Sequence, residues 1–174
     1  MLQSSSSTDQ DQPQRFTPSI FHPGWGRRLL LSIITGALAG GLIAAFRLAV
    51  AAGEAGRVKV WDVITVTSAG SVILGPLLVA ALAALGGIIT RWEPKTAGGG
   101  VYPVRAALAG EIPISCWPQL PAKFMASFFT LVSGLSLGRE GPAVFLGGAT
   151  GQAVGSWFRS DEAEAKHLLA CGAA

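Results

Sequence analysis

The chain has 174 residues, of which 50% are hydrophobic and only 13% are charged, and it carries a formal net charge of +3. A soluble domain carries about 25% charged residues, so this composition is typical of a protein embedded in lipid. It excludes secreted disulfide scaffolds, nucleic-acid-binding modules and ordinary cytosolic enzymes. The two cysteines, Cys116 and Cys171, lie far apart without a metal-ligand spacing, so we expect no disulfide framework, metal or other cofactor.

Residues 1–25 form a polar segment rich in Ser, Gln and Pro. Such a segment buries too little apolar surface to fold alone, and it lacks the apolar run of a cleaved signal peptide. We therefore expect a disordered tail over residues 1–25 and a transmembrane domain over residues 26–174.

Four uncharged stretches follow the tail, at residues 29–46, 63–90, 124–138 and 141–158. A helix needs about 20 mainly apolar residues to cross a bilayer; the first two stretches are long enough, whereas the last two are short. We predict membrane-penetrating helices near residues 28–50, 69–91, 122–138 and 142–158, a short helix over 104–109, and a polar connection over 47–62. All five tryptophans lie at or near the ends of these stretches, where the amphipathic ring prefers the membrane interface.

Side chains at the helix ends and small residues within the helices complete this picture. Lys123 opens the third predicted helix, and we interpret it as an anchor whose ammonium reaches the membrane surface. Residues 160–169 are charged and amphipathic and predict a helix that starts near Ser160. Small residues at four-residue spacing let helices approach closely, so we interpret two glycine sets as packing surfaces: Gly36 and Gly40, and Gly147, Gly151 and Gly155.

The charged pair Arg139 and Glu140 interrupts the last two apolar stretches and is followed at once by Gly141 and Pro142. Ionisable groups inside a membrane normally face a cavity or a partner, and broken helices at that depth occur where the freed backbone lines a cavity. The pattern predicts a short helix whose N-terminus lies within the membrane. A plain loop with both charged groups in water is the alternative interpretation.

A second such N-terminus is predicted after the glycine triplet Gly98-Gly99-Gly100, close to Pro103. Helix N-termini carry partial positive charge and free N–H donors, and discontinuous helices place them midway across a bilayer in transporters. The two N-termini together predict an anionic substrate.

The sequence Gly138-Arg139-Glu140-Gly141-Pro142 resembles the signature of the CLC chloride channels and chloride/proton antiporters. Its setting also matches, because the Pro-x-Lys-Phe segment at residues 121–124 precedes it and residues 97–103 resemble the family's anion loop. The resemblance covers residues 25–174 and is most specific over 96–158. It implies an all-α integral membrane protein, a multi-span bundle with broken, partly re-entrant helices that forms the first part of an inverted-repeat fold.

The resemblance also implies roles for individual residues. Glu140 matches the gating glutamate, whose carboxylate competes with the permeant anion and carries a proton in the exchangers; burial is expected to raise its pKa. The implied anion-binding residues are Gly99, Gly100, Val101, Tyr102, Pro103, Arg139, Glu140, Gly141 and Pro142. The implied partners are a small inorganic anion such as chloride, protons, the lipid bilayer of a cell or inner membrane, and a second copy in a homodimer, with no nucleic acid.

Two departures from the family pattern leave alternatives open. Gly100 occupies the position of the family's serine, and Val101 replaces a glycine. Chloride, nitrate and fluoride are therefore all candidates for the transported anion. Tyr102 could supply a hydroxyl or serve as an interfacial ring. The chain is also far shorter than family members, so an inactive fragment or an accessory membrane protein stands beside a channel or antiporter. An intramembrane serine protease is disfavoured because neither His22 nor His167 lies in a predicted span.

Overall fold

The computed structural model describes residues 25–66, 71–112 and 114–174, and most of these residues are helical, with no strand among them. The predicted all-helical architecture is confirmed. The elements are α1 (Trp25–Val66), α2 (Ser71–Trp92), a 3-10 turn (Pro94–Thr96), α3 (Val101–Ala109), α4 (Cys116–Val132), α5 (Glu140–Trp157) and α6 (Glu162–Ala173). The predicted tail over 1–25 lies outside the described residues except for Trp25, with which α1 begins.

Helix α1 is a single helix of 42 residues, so the predicted polar connection over residues 47–62 is wrong. The charged side chains of this segment lie along a helix that keeps one face against α4 and α5. Val50 is fully buried, and Gly53 lies against the side chain of Val132 in α4. At 1.5 Å per residue α1 is about 63 Å long, roughly twice the thickness of the hydrocarbon core.

Two described segments are long and apolar enough to cross a membrane, Trp25–Ile64 in α1 and Ile73–Trp92 in α2. The second agrees with the predicted helix over 69–91. The predicted extension of the third helix to residue 138 is wrong: α4 ends at Val132, and Gly134 follows with φ +95°. A left-handed glycine is a common way for a helix to end.

Helix α5 is the central element and packs against α1, α3, α4 and α6. Its glycine face lies on α6, where a Cβ on Gly147 would overlap the carbonyl of Gly172 and one on Gly151 would overlap that of Leu168. The predicted packing role of this face is therefore confirmed. In contrast, Gly36 and Gly40 in α1 have nothing within 4 Å of their Cβ positions among the described residues.

Two buried clusters hold the N-terminal half of α5 in place. One joins α1, α4 and α5 through Phe46, Val50, Leu131 and Leu146. The other joins α3, α5 and α6 through Val104, Phe145, Ala149 and Leu169. Because these clusters pack against α5 on two sides, they fix the position of its first residues relative to α3.

Candidate functional site

The N-termini of α3 and α5 meet in the structure. A Cβ on Gly141 would overlap the carbonyl of Gly99, and a Cβ on Gly100 would overlap the carbonyl of Gly141 and lie 2.9 Å from the Cβ of Phe145. Only residues without side chains permit this approach. The two helix starts that the sequence predicts are thus brought together.

The glycine triplet also supplies the backbone conformation that starts α3. Gly98 and Gly100 have φ of +79° and +91°, and Gly100 is the residue before the first turn. Helix α3 begins at Val101, three residues before the predicted start, so Pro103 lies in its first turn, where its missing N–H costs nothing. The first N–H groups of α3 and α5 have no intrahelical partner, and each helix start carries partial positive charge.

A cavity of about 330 Å³ lies beside the N-terminal ends of α3 and α5, which are called the two tips below. Residues at or next to both tips border it, namely Gly98, Gly99, Gly138 and Pro142. Thr90 of α2 and three residues of α4 also line it, namely Lys123, Ser127 and Thr130. Of the sequence-predicted residues, Gly99 and Pro142 line the cavity, whereas Gly100 and Gly141 form the contact between the tips.

The side chains of α3 do not line this cavity. Val101 and Tyr102 are exposed and border separate surface depressions, and Pro103 borders one of these as well. Tyr102 therefore supplies no hydroxyl to the cavity, and its exposed ring fits the alternative of an interfacial side chain.

Glu140 is the first residue of α5, and its side chain is 83% exposed. The expectation that Glu140 is buried is therefore wrong for the described chain. Its Oε1 lies 3.8 Å from Nη2 of Arg47 in α1. Beside it, Nη2 of Arg139 donates to both carboxylate oxygens of Glu54, at 2.7 and 2.8 Å. Arg139 thus fastens the start of α5 to α1.

Lys123 has a position that sequence reasoning missed. The residue is 4% exposed, and its Nζ donates to the carbonyls of Thr96 at 2.8 Å and Gly98 at 2.5 Å. The ammonium also lies 5.8 Å from the centroid of the Phe145 ring. The interpretation of Lys123 as a membrane-surface anchor is therefore wrong: this side chain ties α4 to the loop before α3.

A sequence signal for this role exists in retrospect. Lys123 and Ser127 are four residues apart, so they share a face of α4, and that face carries the polar groups of an otherwise apolar helix. Hydropathy places Lys123 at the end of a stretch, where surface anchoring is the usual outcome. The glycine loop that receives its ammonium becomes adjacent only on folding.

The fold and this site define a helical membrane protein with broken helices whose N-termini meet beside a cavity lined by both polar and apolar residues. The profile of the family described as Voltage gated chloride channel matches residues 79–174, more than half of the chain. The chain therefore belongs to the voltage gated chloride channel family, and it is an integral membrane protein.

Individual relatives agree with this assignment. The chain is 37% identical over 149 residues to the H(+)/Cl(-) exchange transporter ClcA of Vibrio parahaemolyticus and 39% identical over 148 residues to that of Cronobacter sakazakii. Each alignment covers 84% of this chain and 32% of the relative. The chain thus spans about a third of the length of the curated relatives it matches.

A solved structure gives the same result for the fold. It is described as a slow cyanobacterial Cl-/H+ antiporter, and it superposes with a TM-score of 0.81 at 29% sequence identity. The superposition covers 88% of this chain and 36% of the antiporter chain. The predicted fold class, the first part of a CLC-type bundle with broken helices, is confirmed.

Proposed function

We propose that this chain forms part of a transport pathway for a small inorganic anion, in which the N-termini of α3 and α5 bind the anion and Glu140 acts as the gate. The observation that carries the proposal is the contact between Gly99 and Gly141. It brings two positive helix ends to one place, at the border of a cavity that also receives Lys123, Ser127 and Thr130. Backbone N–H groups are well suited to a small anion because they bind negative charge without bringing a mobile cation.

Chloride is the first candidate among anions, because the relatives at 37% and 39% identity are named as chloride and proton exchangers. The same relatives favour proton-coupled exchange over a passive channel. Glu140 is the carboxylate nearest the contact in sequence, and its exposed position lets it exchange protons with water. Protonation would remove its negative charge and with it the competition for the anion at the tips.

The site does not depend on a serine in the loop before α3, since Gly100 stands at that position. Nitrate and fluoride are therefore candidate anions beside chloride, and the flux experiment described next includes them. We also propose a homodimer as the assembled state, on the strength of the family resemblance.

A liposome flux experiment tests the function. The chain is reconstituted into liposomes loaded with chloride, and chloride efflux and proton uptake are recorded together. We expect chloride efflux coupled to proton uptake in the wild type, and efflux without proton uptake in Glu140→Gln. Glu111→Gln, which neutralises an exposed carboxylate after α3, is the matched control.

The result that would overturn the proposal is equally direct. If the wild-type chain moves no chloride, nitrate or fluoride, it lacks the proposed activity and acts as an inactive or accessory protein. If Glu140→Gln and Glu111→Gln both couple protons as the wild type does, the gating role of Glu140 is wrong.

A further inference from the structure

Cys171 and His167 lie one turn apart on α6, and their side chains face each other. The Sγ of Cys171 is 3.5 Å from Nε2 of His167. Residues four apart share one face of a helix, and the same spacing lets two side chains of a helix bind one zinc ion in metalloproteases. The thiol of Cys171 is free, and His167 is exposed, so an ion in solution can reach the pair.

Ser32 of α1 adds a third polar atom from a distant part of the chain. Its Oγ lies 3.3 Å from Nε2 of His167 and 3.8 Å from Sγ of Cys171. The hydroxyl donates its hydrogen to the carbonyl of Arg28 at 2.8 Å, so its lone pairs are left for other partners. A sulfur, a nitrogen and an oxygen atom thus form a small triangle where α1 meets α6.

The sides of this triangle match the ligand spacing of a tetrahedral zinc ion. With bonds of about 2.3 Å to sulfur, about 2.0 Å to nitrogen and about 2.1 Å to oxygen, tetrahedral angles place sulfur and nitrogen about 3.5 Å apart, nitrogen and oxygen about 3.4 Å apart, and sulfur and oxygen about 3.6 Å apart. The observed distances of 3.5, 3.3 and 3.8 Å lie within about 0.2 Å of these values. The three side chains therefore need little movement to bind the ion.

The chemistry of the ligand atoms also suits zinc. Thiolate and imidazole favour Zn²⁺ over Mg²⁺ or Ca²⁺, which prefer oxygen ligands. Binding replaces the S–H bond of the cysteine by a sulfur–zinc bond and releases the proton to solvent. Two cations on neighbouring turns already have acidic partners, since Arg27 pairs with Glu164 and Lys166 pairs with Glu162. Their repulsion of a bound cation is offset by these carboxylates.

We propose that Cys171, His167 and Ser32 bind one Zn²⁺ ion between α1 and α6, with water in the fourth position. No group of three or more His, Cys, Asp or Glu side chains that could hold a metal occurs in the part of the chain that the structure describes. With two strong ligands and an open position, the site binds zinc reversibly and differs from the closed sites of structural zinc.

This proposal departs from the expectation of no metal, which considered only the spacing of the two cysteines. The histidine one turn before Cys171 supplies the second strong ligand, and Ser32 becomes adjacent only on folding. The inference does not depend on the proposed function, because none of the three residues lines the cavity beside the two tips.

Zinc titration of the detergent-purified chain tests the site. The chain carries no histidine tag, and a phosphine reductant keeps its thiols reduced. Calorimetry measures zinc affinity, and Co²⁺ used in place of zinc reports sulfur coordination through its thiolate-to-metal absorption band. We expect the wild type to bind one Zn²⁺ per chain and to show this band with Co²⁺.

The ligand variants are expected to behave differently from each other. Cys171→Ser should lose the thiolate band and zinc binding. His167→Ala should lower zinc affinity at least about tenfold, because even the loss of groups that only support metal ligands costs about 10–100-fold. Ser32→Ala should keep the thiolate band and weaken zinc binding less than His167→Ala does, since a hydroxyl is the weakest of the three ligands.

The chain offers matched controls, because it contains one other cysteine and one other histidine. Cys116→Ser and His22→Ala should bind zinc as the wild type does. The unfolding temperature of each variant is measured without metal, and a value equal to that of the wild type excludes misfolding as the cause of lost binding.

No zinc binding by the wild type, or unchanged binding in Cys171→Ser and His167→Ala, would overturn the site. Loss of binding in Cys116→Ser or His22→Ala to the same extent as in the ligand variants would place the ion elsewhere and also overturn it. Wild-type affinity in Ser32→Ala would remove Ser32 from the ligand set.

Discussion

The backbone of Gly141 lies directly against the carbonyl of Gly99, and this contact joins the N-termini of α5 and α3. The two glycines belong to motifs far apart in the chain, and folding brings these motifs into contact. A Cβ on Gly141 would overlap that carbonyl, whereas a Cβ on Gly99 would meet nothing within 4 Å among the described residues. The absence of a side chain at residue 141 is therefore a requirement of the tertiary structure.

Gly141→Ala is expected to destabilise the fold and to weaken anion binding. The added Cβ overlaps the Gly99 carbonyl, and the neighbouring backbone must move to admit it. Overpacking of this kind costs about 1–3 kcal/mol. Thermal unfolding in detergent and a chloride titration measure the two effects.

Gly138→Ala is the stability control for that prediction, since its Cβ would meet nothing within 4 Å among the described residues. We expect this variant to unfold at the wild-type temperature. Equal unfolding temperatures for the two variants would show that the contact between the tips does not contribute to the stability of the fold.

Gly151→Ala is expected to loosen the packing of α5 on α6. Its Cβ would overlap the carbonyl of Leu168, whereas a Cβ on Gly155, one turn later, would make ordinary contacts at 3.4 Å with Ala165. We expect Gly151→Ala to cost about 1–3 kcal/mol. Gly155→Ala is expected to be neutral or to gain up to about 1 kcal/mol from helix propensity. Unfolding midpoints compared within this pair check the prediction, and a reversed order contradicts it.

Arg27→Met is expected to destabilise the corner between α5 and α6. Nη1 of Arg27 donates to the buried carboxylate of Glu164 at 2.9 Å, and Nη2 donates to the carbonyl of Phe158 at 2.9 Å. Without Arg27, that carboxylate stays buried without its cationic partner, which costs about 2 kcal/mol. The neighbouring variant Arg28→Met removes an exposed charge and should leave the unfolding temperature unchanged. A similar loss in both would point to net charge as the cause.

Arg139 and Glu54 are expected to be energetically coupled. Their side chains are 49% and 30% exposed and are joined by two short hydrogen bonds. A double-mutant cycle with Arg139→Gln and Glu54→Gln should give a coupling of about 0.5–1 kcal/mol. The same cycle on Arg47 and Glu140, which lie 3.8 Å apart and are more exposed, should give a coupling near zero. Equal couplings would contradict the assignment of Arg139 as the link to α1.

The sequence by itself determined that the chain belongs in a membrane, because uncharged stretches of this length have no other solvent in which they are stable. It also located the glycine loop before α3, and it located the start of α5 to within two residues, since the predicted helix begins at Pro142 and α5 begins at Glu140. Glu140-Gly141-Pro142 and Gly98-Gly99-Gly100 have local conformational effects that operate before any long-range contact forms. Local chemistry of this kind can be predicted from neighbouring residues.

Only the tertiary structure decided what the polar residues near these starts do. Lys123 has the sequence context of a surface anchor, yet it is buried because the carbonyls of Thr96 and Gly98 become adjacent on folding. Residues 47–62 have the composition of a loop, yet they stay helical because Val50 and Gly53 pack against other helices. In both cases the deciding free energy comes from partners distant in the chain, which hydropathy and spacing do not contain.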